Sequence, residues 1–330
     1  VALHHYFNKK IYVAYNEEPP HSHKCSKIQN YEYVFNEFIN LKKDTLVYCL
    51  FPEFNTKKND DFITKKINDD GGMDLLYKKS IKLNENGFIY FLIILYQIHK
   101  INGVGMVDYG VIRTKLKKSF NNDGKVTLYF VEKKCNRSHL VNFKKNIIRK
   151  HIDSCDKPYS FHVCDNHEET KNISQFVLND NNIKFANSNN IAKFNKNYPS
   201  LNDIKNTNIN KKIDVNKIIK NVFINSDDYC VVGSSLLSLF GIRESKDVDI
   251  ISKDLKNDNF DIHNKYIQYF MGIEPDDIMY NPNNHFYFFG VKFMTPEILL
   301  TFKEKRYLKT KDEKDKVDIT QLKEYLWEKK

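Results

Sequence analysis

Tyr229-Cys-Val-Val-Gly-Ser-Ser-Leu-Leu-Ser-Leu-Phe-Gly-Ile-Arg-Glu-Ser-Lys-Asp-Val-Asp-Ile-Ile251 reads as an apolar strand, a Gly-Ser turn, an apolar helix, a glycine-containing loop and a second strand. That second strand carries two carboxylates in Asp-x-Asp spacing. Alternate residues of a strand share a face, so Asp247 and Asp249 are expected to project together while Val248, Ile250 and Ile251 pack inward. Carboxylates held side by side repel each other unless a cation lies between them. Mg²⁺ commonly takes one or two carboxylates plus the phosphate oxygens of a substrate, and Gly233 with Ser234 and Ser235 offers polar groups at a helix start to such phosphates. The stretch therefore predicts phosphoryl or nucleotidyl transfer, with Asp247 and Asp249 as the catalytic, metal-holding pair. Singly, each piece has an ordinary reading: a solvated loop edge for Asp-x-Asp, and a common turn and cap for Gly-Ser. Their order and spacing carry the inference.

Gly233-Ser234, twelve intervening residues and then Asp247-Val248-Asp249 resemble the signature of the nucleotidyltransferase superfamily, which includes DNA polymerase β, the minimal nucleotidyltransferases and the aminoglycoside nucleotidyltransferases. Thr295 to Arg306, followed by Lys314-Asp315-Lys316-Val317-Asp318-Ile319, is similar to the helix and Lys-Asp-x-x-Asp segment of small members. The resemblance covers residues 215–326. It implies Mg²⁺ or Mn²⁺, an NTP, and transfer of an NMP to a small polar or phosphorylated acceptor. Arg243, Lys303, Arg306 and Lys314 are then the further nucleotide contacts. Lys314, Asp315 and Asp318 have an ordinary reading as the solvated start of a last helix; the resemblance implies instead an internal salt bridge or a substrate contact. Catalytic members carry a third acidic residue on a later strand, and the strands expected within His285 to Met294 contain none; His285 or Lys292 stands in that place. Three outcomes follow: a single metal, recruitment of Glu274, Asp276 or Asp277, or lost activity. The alternatives to an enzyme acting on a small acceptor are an inactive binding module of the same shape and an RNA nucleotide-adding enzyme.

A chain of 330 residues has room for two domains. The net charge of +10 invites a nucleic-acid reading, yet the 52 basic residues comprise only five Arg against 47 Lys. Arg is the residue preferred for bidentate phosphate and base recognition, so nucleic acid is not an expected partner. Six cysteines without a Cys-x-x-Cys pair point to a reduced, cytoplasmic setting. The longest apolar run, Phe88 to Tyr96, is about half of what a bilayer span needs. The oligomeric state is left open.

The expected organisation is an α/β domain over residues 1–185, an Asn/Lys-rich linker over 186–214 and a nucleotidyltransferase-like mixed-sheet domain over 215–330. Strands are expected at 10–15, 45–51, 75–83, 126–131 and 159–164, with helices at 31–41, 60–67, 86–100, 138–152 and 168–178. Their alternation, and continuous apolar runs such as Thr45 to Phe51, predict an α/β layer with a largely parallel sheet. Gly103 to Gly110, with Asp108, is read as a loop rather than a dinucleotide fingerprint, because no strand precedes it.

A second candidate site lies in Ser160-Phe-His-Val-Cys-Asp-Asn-His-Glu-Glu-Thr170, where a strand feeds a helix N-terminus. His162, Asp165, His167 and Glu169 suit a metal or an acid/base pair. With Arg149, Lys150 and His151 upstream, the preferred functional form is a phosphate or phospho-sugar site for the acceptor. The ordinary reading is helix capping by Asp165 or Asn166 with surface histidines.

Overall fold

The computed structural model describes residues 31–97, 109–152 and 159–188, then 229–252 apart from 241, 244 and 246, 261–288 apart from 271, and 291–327. The strand expected at 10–15, the loop at 103–108 with Asp108, and residues 189–214 of the expected linker lie outside them. The chain is of the α+β class, and it divides into two compact units, Val1–Leu178 and Asn179–Lys330.

The first unit begins with α1 (Tyr31–Leu41) and β1 (Thr45–Leu50), a strand buried along its whole length. Helix α2 (Lys57–Asp69) starts where the Thr56 hydroxyl accepts from Asn59 N–H, and β2 (Met73–Lys82) follows. Asn84 Oδ1 accepts from Gly87 N–H at 2.8 Å to start α3 (Glu85–Gln97), an apolar helix that precedes α4 (Tyr109–Ser119). Then come β3 (Lys125–Lys133), α5 (Arg137–Asn142), β4 (Phe161–Val163) and α6 (His167–Val177). Helix α5 runs on through a π-helical stretch, Phe143–Arg149, to a last turn, Lys150–Ile152.

The sheet order is β2-β3-β1-β4. Every pairing in it is antiparallel, which corrects the expectation of a largely parallel sheet. Two physical causes account for the difference. A single helix between strands returns the chain for a parallel partner, but α3 and α4 form a pair between β2 and β3, so the chain re-enters from the end it left. The continuous apolar runs mark burial on both faces, which central strands of either direction share once helices cover both sides. The result is two interleaved β-α-β crossovers, β1-α2-β2 and β3-α5-β4, each spanning a strand of the other.

One face of this sheet packs Tyr48, Tyr129, Val131 and Phe161 against Ile63 and Ile67 of α2 and against Leu140, Phe143 and Ile148. Each such side chain contributes about 1.5–3 kcal/mol on burial. On the other face α6 packs on β1, with α1 and α3 against α6. Arg149 donates from Nε (3.1 Å) and Nη2 (2.8 Å) to the Phe161 carbonyl, tying the end of the long helix to β4.

In the second unit, α7 (Asp180–Asn187) lies on the sheet through Phe185, whose ring stacks on Phe286 at 4.5 Å. The core motif is β5 (Tyr229–Val232), α8 (Ser234–Leu239) and β6 (Asp249–Ser252). A two-residue strand, β7 (Asp261–Ile262), leads into a 3-10 stretch, His263–Tyr269, and then α9 (Pro275–Tyr280). The hairpin β8 (His285–Phe288) and β9 (Val291–Met294) precedes two long helices, α10 (Pro296–Thr310) and α11 (Glu313–Trp327). The sheet order is β7-β6-β5-β9-β8, antiparallel at β5/β6 and β8/β9 and parallel at β6/β7 and β5/β9. No helix among the described residues is long and apolar enough to cross a membrane.

Candidate functional site

The turn between β5 and α8 is set by Gly233. Its backbone, at φ 66° and ψ −143°, occupies a region that other residues enter only under strain. A Cβ at this position would overlap Oδ2 of Asp249. The glycine therefore lets the carboxylate lodge against the turn. Asp249 opens β6 and is only 6 % exposed, and its Oδ1 lies 3.1 Å from His263 Nε2. Asp247 sits in the bend just before β6 and is exposed. The two carboxylates thus differ in setting: one is enclosed and paired, the other faces solvent.

The serines of α8 hold the loop that carries Asp247. Ser235 Oγ donates to the Asp247 carbonyl at 3.3 Å, Ser245 Oγ donates to the same oxygen at 2.7 Å, and Ser234 Oγ lies 2.8 Å from Ser245 Oγ. Ser238 Oγ accepts from Ser245 N–H at 2.6 Å and donates to the Arg243 carbonyl at 2.9 Å.

The basic residues expected at the nucleotide are engaged with carboxylates of α11 and its preceding turn. Lys303 Nζ bridges Asp315 and Asp318 at 2.8 Å each. Arg306 reaches Asp315 from Nε and Asp312 from Nη2, both at 3.0 Å. Arg243 grips Asp318 through Nε at 2.6 Å and Nη2 at 2.9 Å. Asp315 and Asp318 are fully buried, which corrects their reading as a solvated helix start, and the internal salt bridge is the arrangement observed. Burial alone would raise the Asp318 pKa, but the Arg243 and Lys303 cations outweigh it and hold the carboxyl below its ordinary value. Lys314 is exposed, with its backbone N–H on Asp312 Oδ1.

Neither stand-in for a third carboxylate faces solvent. His285 is buried with Nδ1 3.0 Å from the Ile278 carbonyl, and burial, then Lys292, pushes its pKa well below the usual histidine value. Lys292 is buried and donates to the Met279 carbonyl at 2.7 Å. Glu274, Asp276 and Asp277 sit at the start of α9. The acidic residue that strand register brings opposite Asp249 is Asp261 of β7. Sequence reading missed it because β7 has two residues and no sustained alternation; the signal was the apolar-acidic-apolar triplet Phe260-Asp261-Ile262. His263 was missed with it.

In the first unit the structure brings together part of the second candidate group. His162 Nε2 is 3.9 Å from Glu169 Oε2, and both residues are buried. Cys164 joins them: one ligand atom from each of His162, Cys164 and Glu169 lies within 4.8 Å of the others. Cys164 was not singled out from sequence, although His-x-Cys on a strand places both side chains on one face. Burial pushes His162 down to about 4 against the pull of Glu169, and pushes the Cys164 thiol well up, with Cys49 and Glu169 adding to it. The other side chains of the group make contacts of their own. Asp165 is exposed, 3.9 Å from Arg137; His167 Nε2 is 3.3 Å from the Asn40 carbonyl; His151 stacks on Phe62 with ring centroids 3.6 Å apart. Asn166, not Asp165, caps α6 by accepting from Glu169 N–H at 2.9 Å, and Glu169 Oε2 accepts from Asp165 N–H at 2.6 Å. Of the residues expected at a phosphate here, Arg149 is engaged with the Phe161 carbonyl, His151 with the Phe62 ring and His167 with the Asn40 carbonyl.

No family model, no curated protein and no solved structure matches the chain.

Proposed function

We propose that the second unit is a nucleotidyltransferase that moves an NMP from an NTP to a small polar or phosphorylated acceptor, using Mg²⁺ or Mn²⁺ held by Asp247 and Asp249. The observation that carries this reading is the carboxylate of Asp249 seated against a turn whose residue must be glycine, with the open Asp247 two residues before it. Asp261 is the residue that backbone pairing sets in register with Asp249 on the neighbouring strand. An all-carboxylate set suits a hard cation. When bound, the ion neutralises charge that develops on the phosphate oxygens during in-line displacement. The chain's own part is positioning. His263 holds Asp249 in place, and the serine chain through Ser235 and Ser245 fixes the backbone of Asp247.

The test is calorimetric titration with ATP, CTP, GTP and UTP, with and without Mg²⁺, alongside an assay of pyrophosphate release in a metabolite extract. Asp247→Asn combined with Asp249→Asn is expected to cost more than about a hundredfold in Mg-dependent turnover, with the far-ultraviolet dichroism unchanged. Undiminished activity in that double variant overturns the assignment. A second reading, a binding module without turnover, is favoured by one observation: Arg243, Lys303 and Arg306 are already spent on Asp312, Asp315 and Asp318. It predicts NTP affinity that is indifferent to Mg²⁺ and no pyrophosphate.

A further inference from the structure

His162, Cys164 and Glu169 form a buried cluster that the nucleotidyl-transfer reading does not use. A carboxylate 1 % exposed, a thiol 2 % exposed and an imidazole 7 % exposed meet between β4 and the first turn of α6. Burying a carboxylate costs several kcal/mol, of which Glu169 recovers part by accepting from Asp165 N–H at 2.6 Å. His162 Nε2, which faces Glu169, has no hydrogen-bond partner, and neither has the enclosed hydroxyl of Tyr96, whose ring lies edge-on to His162. Each such orphaned group costs about 1–3 kcal/mol. The arrangement places a nitrogen, a sulfur and an oxygen around a common point.

We propose that His162, Cys164 and Glu169 bind a divalent ion of the zinc class. The donor set is the reason: imidazole and thiolate select borderline and soft metals, and Mg²⁺ or Mn²⁺ would favour oxygen alone. A tetrahedral zinc site spaces its ligand atoms about 3.3–3.6 Å apart. The observed limit of 4.8 Å, with His162 and Glu169 at 3.9 Å, thus needs a contraction of about 1 Å. Three protein ligands leave a fourth position. Binding replaces the Cys164 S–H bond with a sulfur–metal bond, and the thiol proton leaves to solvent. Glu169 binds as the carboxylate and His162 through the neutral Nε2, so no other bond changes. The ion would pin β4 to α6, whose Glu169 and Asn166 already close that corner.

The full-length protein, stripped with chelator, is titrated with Co²⁺ in weak buffer. The expected result is saturation at one equivalent, a thiolate-to-cobalt charge-transfer band in the near ultraviolet, release of a proton per ion, and displacement by Zn²⁺. Excess Mg²⁺ should leave the band untouched, which separates this site from Asp247 and Asp249. Cys164→Ser should abolish the band, and Glu169→Gln should weaken affinity by about tenfold or more. A wild-type titration without the band, or the same band in Cys164→Ser, overturns the proposal. If Cys164→Ser fails to fold, the wild-type titration decides alone.

Discussion

Each unit buries a group of charged or reactive side chains, and the two groups are built in opposite ways. In the second unit the order Arg306–Asp315–Lys303–Asp318–Arg243 alternates sign at every step, with closest contacts between 2.6 and 3.0 Å. Each buried carboxylate meets two cations. In the first unit His162, Cys164 and Glu169 lie within 4.8 Å of one another, and His162 Nε2 has no hydrogen-bond partner. A network whose members answer one another holds helices together. The His162 imidazole, by contrast, meets Glu169 at 3.9 Å through an Nε2 that no donor or acceptor satisfies. Residue type alone does not separate the cases: Lys303 and Arg306 look like phosphate ligands in sequence and act as mortar between α10 and α11.

The largest effect expected from breaking this contrast falls on Asp318. Asp318→Asn removes one carboxylate and leaves Arg243 and the buried Lys303 facing each other without it, at a cost of about 3–5 kcal/mol in urea-induced unfolding. Arg243→Met combined with Asp318→Leu should cost less than the sum of the single changes, since the pair is removed together. An Asp318→Asn protein as stable as wild type would show that the network contributes nothing.

An intermediate effect follows from pH. The folded pKa of Asp318 lies below its unfolded value, so the fold binds the proton less tightly than the open chain. That contribution is present above the unfolded value of about 3.9 and is lost as pH falls through the folded value. Acid unfolding followed by dichroism should therefore be shallower in Asp318→Asn than in wild type over that range, and parallel curves would refute the attribution. The smallest effect belongs to the corner of the first cluster. Asn166→Ala removes the cap on α6 and should cost about 1 kcal/mol in thermal unfolding, while leaving the Co²⁺ stoichiometry at one.

Much of the element pattern is legible in the sequence, and the connectivity is not. Thr45 to Leu50, Val126 to Val131 and the helix ending at Ile152 are marked by apolar period and by caps such as Asn84. Strand direction depends on whether one helix or two intervene between β2 and β3, and α4 begins beside a glycine-rich stretch that reads as loop. At the candidate site, Gly233 and Asp249 were legible because backbone geometry and residue type coincide there. Asp261 and His263 were not, since a two-residue strand has no period and its place is given only by pairing with β6. Lys303 and Arg306 are expected at a nucleotide from sequence, whereas their observed partners, Asp312, Asp315 and Asp318, are set by how α10 lies on α11 and its preceding turn.

The interleaving of β1-α2-β2 with β3-α5-β4 bears on how the first unit comes into being. In the finished sheet β1 and β2 stand one strand apart, each paired with β3 and not with the other. Residues 125–133 supply the strand that joins them, so a chain that ends before β3 lacks the native partner of both β1 and β2. Folding must wait on long-range pairing of Thr45 with Glu132 and its neighbours, and a polypeptide truncated before β3 should be a client of chaperones rather than a smaller version of the same sheet.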